Sequence, residues 1–201
     1  GKLDKFSPDS KKIHVDIDPS SINKNVMVDI PIIGDAAEIL ERMVEIWKER
    51  KYQPDEEALE KWWKQIDSWR KKDSLGYKQK GKETKPQYVL DHLNTLTKEL
   101  DTYITTDVGQ HQMWSAQYLQ FDKPHHWMTS GGLGTMGYGL PAAVGTQIAH
   151  PKATVICVSG EASIMMNIQE LSTIVQYRLP VKVMILNNHY MGMVRQWQQM
   201  F

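Results

Sequence analysis

Two apolar runs in the last third of this chain stop abruptly at residues that carry oxygen. VICVSGEASIMMN breaks at Glu161 and Ser163, and VKVMILNNHYMGM breaks at Asn187 and Asn188. A carboxylate and an amide carbonyl are hard oxygen ligands of the kind Mg²⁺ or Ca²⁺ takes. Mg²⁺ keeps few protein ligands and completes its shell with phosphate oxygens, so such a pair wants a phosphorylated cofactor beside it, with Ser163 adding a hydroxyl. Each motif also has a plainer reading: Glu161 as the cap of the next helix, the two asparagines as an ordinary turn. Alone, each favours the plain reading. Together they favour a metal site.

Two further stretches carry unusual chemistry. DVGQHQMW follows a strand-like run, and GGLGTMGYG places five glycines just before a helix. Glycine lets backbone approach a ligand closely, and a helix start offers free N–H groups to an anion. The same run also serves as a tight turn packing the helix on a sheet. His125 and His126 have no partner at metal-ligand spacing and read as loop.

The elements that must position these residues are legible from Pro86 onward. A helix from Tyr88 to Leu100 precedes the strand TYITTDVG, then come a polar segment with GQHQMW and the glycine run. A helix through Ala142 and Ile148, the strand ATVICVSG, a helix around NIQELSTIVQY, the strand VKVMILNN and a final helix complete the series. Strands that are almost continuously apolar, alternating with helices, predict an α/β fold with a parallel sheet covered on both faces. Ligands of such sheets sit beyond the carboxyl ends of the strands, where the polar motifs stand.

Upstream, KIHVDIDP alternates Ile13, Val15 and Ile17 with polar residues as a strand does, and Pro19 stops it. Asp35, with Glu38 three residues on, opens a helix with a capping box, whose apolar stripe of Ala37, Leu40, Val44 and Trp47 runs to about Arg50. Residues 1–50 therefore read as the tail of a second α/β domain. Residues 51–85 read as a charged linker with one helix, and 86–201 as the binding domain. In the linker helix Leu59, Trp62, Ile66 and Trp69 share a face, which either packs between domains or covers its own.

Lys+Arg and Asp+Glu are 24 each, so charge gives no case for nucleic acid or an acidic membrane surface. No apolar stretch approaches membrane-spanning length. The single cysteine, Cys157, lies in a strand-like run and builds no disulfide framework, which fits a reduced compartment. The first residues lack an initiator Met and the last, RQWQQMF, lie within a helical pattern, so the chain reads as a piece of a longer protein.

SGEAS, followed 27 positions after Glu161 by the second asparagine of LNN, resembles the diphosphate-binding motif of thiamine-diphosphate enzymes. With VGQHQMW, SGGLGTMGYGLPAA, MNIQEL, LPVKVMILNN and MGMVRQWQ, the chain resembles the large catalytic subunit of the acetolactate synthase (acetohydroxyacid synthase) family. GKLDKF, IHVDIDP and INKN are similar to the end of that family's flavin-binding middle domain. The resemblance implies an enzyme of branched-chain amino-acid biosynthesis that decarboxylates pyruvate and joins the two-carbon unit to a second 2-oxo acid. Thiamine diphosphate, Mg²⁺ and FAD are the implied cofactors. A homodimer or tetramer, a possible regulatory subunit, and a cytoplasmic location in bacteria or a plastid or mitochondrial one in eukaryotes are implied too.

By the same resemblance, Gln110 and His111 contact the diphosphate, while Gly134, Thr135 and Met136 meet the aminopyrimidine. The Gly134 carbonyl accepts from its amine, and Met136 is the wedge that bends the cofactor. Glu161, Asn188 and the Tyr190 carbonyl ligate Mg²⁺, with Ala162 and Ser163 against the diphosphate. Met193, Val194 and Trp197 line the substrate pocket, and Asp16, Ile17, Asp35 and Ala36 lie near FAD. Plainer roles stand beside these: His111 as a backbone partner, Met136 and Trp197 as packing, and the FAD positions as a strand end and a helix cap.

The family usually carries Asp where this chain has Glu161, and the added methylene shifts the carboxylate by about one C–C bond. The alternatives are another thiamine-diphosphate enzyme (a pyruvate oxidase or a 2-oxo acid decarboxylase) or a non-catalytic cofactor-binding or assembly module. The family's activating glutamate belongs to an N-terminal domain outside these 201 residues, and its closing segments lie beyond the last. The isolated chain is therefore expected to form no acetolactate.

Overall fold

The computed structural model describes residues 2–201. Contacts divide it into two units, one up to Lys72 and one from Asp73 to Phe201. The division falls inside the charged stretch read as a linker.

In the first unit, β1 (Ile13–Asp16) and β2 (Ile30–Ile33) form a parallel pair with Asp16 opposite Ile33. Helix α1 (Ala36–Glu49) starts at Asp35, whose carboxylate accepts from the amides of Ala37 and Glu38 at 2.8 and 3.3 Å. Two of the amides that a helix start leaves unpaired are thereby satisfied. Helix α2 (Glu56–Arg70) is capped in the same way by Asp55. Trp62 and Trp69 meet edge to face at 5.5 Å, as their spacing on one helical face predicts, and both remain exposed.

The second unit opens with an ordered strap. The Tyr118 hydroxyl donates to the Leu75 carbonyl at 2.6 Å, and Tyr77 packs edge-on against the Tyr118 ring. The neighbouring Asp91 carboxylate pushes the Tyr77 phenol up to about 12. From Asp73 on, the end of the segment read as a charged linker is therefore fastened to the helices it precedes.

Helix α3 (Pro86–Thr97) leads into β3 (Thr102–Thr106), α4 (Gln110–Tyr118), β4 (Trp127–Thr129) and α5 (Gly139–Ala149). Then follow β5 (Thr154–Ser159), α6 (Glu161–Met166), α7 (Glu170–Gln176), β6 (Lys182–Ile185) and α8 (Gly192–Met200). The sheet is parallel throughout, in the order β4-β3-β5-β6. Its two faces read directly from the alternation of β5. Ile156 and Val158 join Ile104, Leu90, Leu93 and Leu119 on one side, while Val155 and Cys157 join Leu140, Ala143 and Ile164 on the other. Each such aliphatic contributes roughly 1.5–3 kcal/mol on burial. This is the covered parallel sheet that the continuous apolar runs predict.

Three elements differ from the sequence reading. The polar segment around GQHQMW is helix α4, a three-residue strand β4 follows it, and SGEAS itself opens the short helix α6. Helix α4 escapes a periodicity search because the residues it buries are His111 and Ser115, four apart and both polar.

Candidate functional site

The strand order settles where a ligand belongs. Connections from β3 run outward to β4, and those from β5 run the opposite way to β6, so the switch lies between β3 and β5. In open α/β sheets the crevice beyond the carboxyl ends at such a switch is the binding position. A cleft lies there. Its walls are the three strand ends: Val108 to His111 after β3, Gly160 to Ser163 after β5, and Leu186, Asn188 and Tyr190 after β6. Trp114, Met136, Met191 and the start of α8, Gly192 to Val194, complete it.

Glu161 does not cap α6. Gly160 takes the cap position with no side-chain bond, and Glu161 is the first helical residue. Its Oε1 is buried without a hydrogen-bond partner. A buried, unpartnered carboxylate oxygen is costly unless a ligand completes it. The same is true of His111 Nε2, also buried and unpartnered. Burial pushes the His111 imidazolium down from its usual range, against the opposing pull of Asp107 and Glu161. The ring is wedged between backbone segments: a side chain at Gly109 would meet it at 2.8 Å, and one at Gly160 at 2.9 Å.

The asparagines do form the turn that their plainer reading predicts. Asn187 Oδ1 accepts from the His189 amide at 2.9 Å, and Asn188 Oδ1 from the Tyr190 amide at 3.1 Å. A carbonyl oxygen has two lone pairs, so the Asn188 turn leaves one free. The Asn188 amide donates to Gln110 Oε1 at 3.1 Å, and Gln110 also reaches Gln196 on α8 at 3.4 Å. Gly192 lies against Gln110 so closely that a Cβ there would collide with its carboxamide.

Ser163 is buried, and its hydroxyl donates to the Val108 carbonyl at 3.1 Å, tying α6 to the end of β3. Gly134 and Thr135 stand outside the cleft lining on an exposed loop, with Gly134 at φ +68°. Trp197 also stands outside it and stacks on Phe201 at 5.0 Å. Asp16, Ile17, Asp35 and Ala36 belong to the first unit, at the carboxyl ends of β1 and β2. There Asp16 Oδ1 accepts from the Asp18 amide, and Asp35 caps α1.

One buried residue at the site went unassigned from sequence. Asp107 directly follows β3, is fully buried, and accepts from the amides of Val108, Gly137 and Gly139. The readable signal was a carboxylate placed immediately after an apolar strand at the mouth of a parallel sheet.

The described residues contain no group of three or more His, Cys, Asp or Glu that could hold a metal ion. A site here is thus one of a single carboxylate with neutral oxygens, the donor set that suits a hard cation shared with phosphate. The unpartnered Glu161 and His111 atoms and the glycine-lined approach fit a metal-bound diphosphate.

Comparison with known families agrees with this geometry. Residues 107–201 match the family "Thiamine pyrophosphate enzyme, C-terminal TPP binding domain", and residues 1–43 match "Thiamine pyrophosphate enzyme, central domain". The chain belongs to the thiamine pyrophosphate enzymes. Within them it is 54% identical over 199 residues to the acetolactate synthase isozyme 3 large subunit of Escherichia coli (strain K12), covering 98% of this chain and 34% of that protein. It is 50% identical over 201 residues to the acetolactate synthase large subunit of Porphyra purpurea, covering all of this chain and 33% of that protein. The Haemophilus influenzae large subunit is 50% identical over 200 residues, at 98% and 34% coverage. The chain thus spans about a third of the length of these relatives. Among the described residues no helix is long and apolar enough to cross a membrane.

Proposed function

We propose that this chain is the part of an acetolactate synthase large subunit that anchors thiamine diphosphate through Mg²⁺. The protein containing it would decarboxylate pyruvate and join the two-carbon unit to a second 2-oxo acid. The observation that carries the reading is the half-buried Glu161 side chain, whose Oε1 is buried without a partner at the switch point of the sheet and which shares one cleft with His111 and Asn188.

When bound, thiamine diphosphate supplies the electron sink for decarboxylation and carbon–carbon bond formation. This chain supplies position and electrostatics. Glu161, Asn188 and the Tyr190 carbonyl hold Mg²⁺, and the single carboxylate leaves charge on the ion for the diphosphate to neutralise. Gln110 fixes the Asn188 amide and so orients its oxygen. His111, kept neutral by burial, offers a hydrogen bond without adding charge. Ala162 and Ser163 face the diphosphate at the start of α6. Gly134, Thr135 and Met136 address the aminopyrimidine, with Met136 in the cleft wall as the wedge. Met193 and Val194, in the same wall, line the substrate side, and Trp197, outside the cleft lining on the same helix, shapes that side from α8.

FAD belongs to the first unit in this reading, where Asp16, Ile17, Asp35 and Ala36 stand at the carboxyl ends of a parallel pair. The complete protein is a homodimer or tetramer, with a regulatory subunit as a further partner. In a bacterium it works in the cytoplasm, in a eukaryote in a plastid or mitochondrion.

Calorimetry tests the cofactor site. Thiamine diphosphate is expected to bind the complete protein in the presence of Mg²⁺ and to be lost on chelation; binding indifferent to Mg²⁺ counts against the anchor. Product analysis tests the reaction. Acetolactate from pyruvate supports it, whereas acetaldehyde or acetyl phosphate as the main product points to another reaction of the family.

A further inference from the structure

Asp107 is a charged residue buried to 0% exposure. Among the described residues no ion pair includes it. Its partners are backbone amides: Val108 and Gly137 on Oδ1, each at 2.8 Å, and Gly139 on Oδ2 at 3.0 Å. Two of the three belong to the glycine-rich loop, thirty and thirty-two positions downstream. A buried anion beside a cleft meant for a diphosphate opposes binding by charge. What it contributes is geometry.

The loop is built to receive that hold. Gly139 presses on the end of β3 so closely that a Cβ would lie 2.8 Å from the Asp107 amide nitrogen. Its carbonyl accepts from the buried Thr105 hydroxyl at 2.8 Å. Gly137 has φ +89°, and its carbonyl accepts from the Asn167 side-chain Nδ2 at 2.6 Å. At the upstream end, the Gly134 amide donates to the Ser130 carbonyl and the Thr135 amide to the Ser130 hydroxyl. Gly134, Thr135 and Met136 are thus strung between Ser130 and the Asp107 anchor.

We propose that Asp107 is a positioning residue for the cofactor loop, its carboxylate setting where Gly134, Thr135 and Met136 stand over the strand ends. Asp107 does not line the cleft and acts through the loop. The inference rests on the reading of the cleft as a thiamine diphosphate site.

The test is Asp107→Asn in the complete protein. The change keeps the shape, removes the charge and turns an N–H toward one of the loop amides. Two probes separate geometry from charge: Mg²⁺–pyrophosphate, which needs only the anion subsite, and thiamine diphosphate with Mg²⁺, which also needs the loop. The expected result is thiamine diphosphate binding weakened about tenfold, pyrophosphate binding unchanged or tighter, and faster hydrogen exchange of amides 131–139 without any ligand. Unchanged thiamine diphosphate affinity overturns the proposal, as does unchanged exchange or equal weakening of both probes. A wild-type protein that binds neither probe sinks the cofactor reading instead, and the exchange rates then decide the loop contact alone. Should Asp107→Asn fail to fold, Asn167→Ala loosens the same loop from its other side by removing the side-chain donor to the Gly137 carbonyl, while leaving the Asp107 charge in place. It is expected to show the same split at roughly threefold, and its absence overturns the proposal.

Discussion

The Asn188 side-chain amide donates to Gln110 Oε1 at 3.1 Å across 78 positions of sequence. The bond joins the loop after β6 to the first residue of α4, so the end of one strand is oriented by the helix that follows another. Gly192 completes the arrangement, because only a residue without Cβ leaves room for the Gln110 carboxamide. Gly192→Ala is therefore expected to fold, since a flexible side-chain end can swing aside, but to break the contact with Asn188. The loss of one such hydrogen bond is about 1 kcal/mol. Thermal stability should change little, while Mg²⁺-dependent cofactor binding falls about fivefold. A drop in melting temperature with intact binding would show that the contact serves only folding.

Glu161 offers a carboxylate to the cleft, and its Oε1 is buried without a partner. Mg²⁺ demands near-octahedral geometry at roughly 2.0–2.1 Å, so side-chain length matters here. Glu161→Asp is expected to bind Mg²⁺ and thiamine diphosphate at least as tightly as the parent. Glu161→Gln, which removes the charge and keeps the length, should weaken Mg²⁺-dependent binding by tenfold or more, about 1.4 kcal/mol. Clearly weaker binding by the Asp variant would mean that the cleft is fitted to glutamate.

How far the sequence alone carried these conclusions depended on what each element buries. Helix α3 and strand β5 were legible because the residues they bury are apolar, save Ser159 at the end of β5. Helix α4 was not, since His111 and Ser115 face inward, and a pattern search reads those positions as surface. Strand β4, at three residues, is too short to carry an alternation. Glu161 and Asn188 were readable as oxygen-bearing strand ends, but that Glu161 leaves the cap of α6 to Gly160 and keeps Oε1 unpartnered needed the geometry. Asp107 lay hidden for a different reason: its partners are backbone amides, whose acceptor no residue type announces.

Cys157 is fully buried in β5, and burial pushes its thiol up to about 12. Because the thiolate is the reactive form, the native protein should resist thiol reagents at pH 8. Reaction should follow unfolding, and its rate should report opening of the sheet. The sign with pH is fixed by the direction of the shift. An unfolded thiol ionises near its ordinary value of 9.0 while the folded one stays protonated, so stability from this group is full below that value and declines as pH rises from there toward 12. Cys157→Ala should remove that decline. Rapid labelling of the native protein at pH 8 would contradict the burial.

Trp197 gives the last test, because its surroundings separate substrate choice from folding. It is 55% exposed and stacks on Phe201, while Met193 and Val194 on the same helix line the cleft. An exposed aromatic contributes little to the core, so Trp197→Leu should alter stability by only about 0.5 kcal/mol. Discrimination by one methylene in an apolar pocket is worth roughly 1–3 kcal/mol, so reshaping such a wall shifts a ratio of products more than it shifts a melting curve. In the complete protein, supplied with pyruvate and a 2-oxo acid one carbon longer, the variant is expected to change the product ratio about tenfold or more. Thiamine diphosphate affinity should stay near the parent value. An unchanged ratio would leave Trp197 as packing for Phe201, and a loss of cofactor binding would place it on the diphosphate side of the cleft.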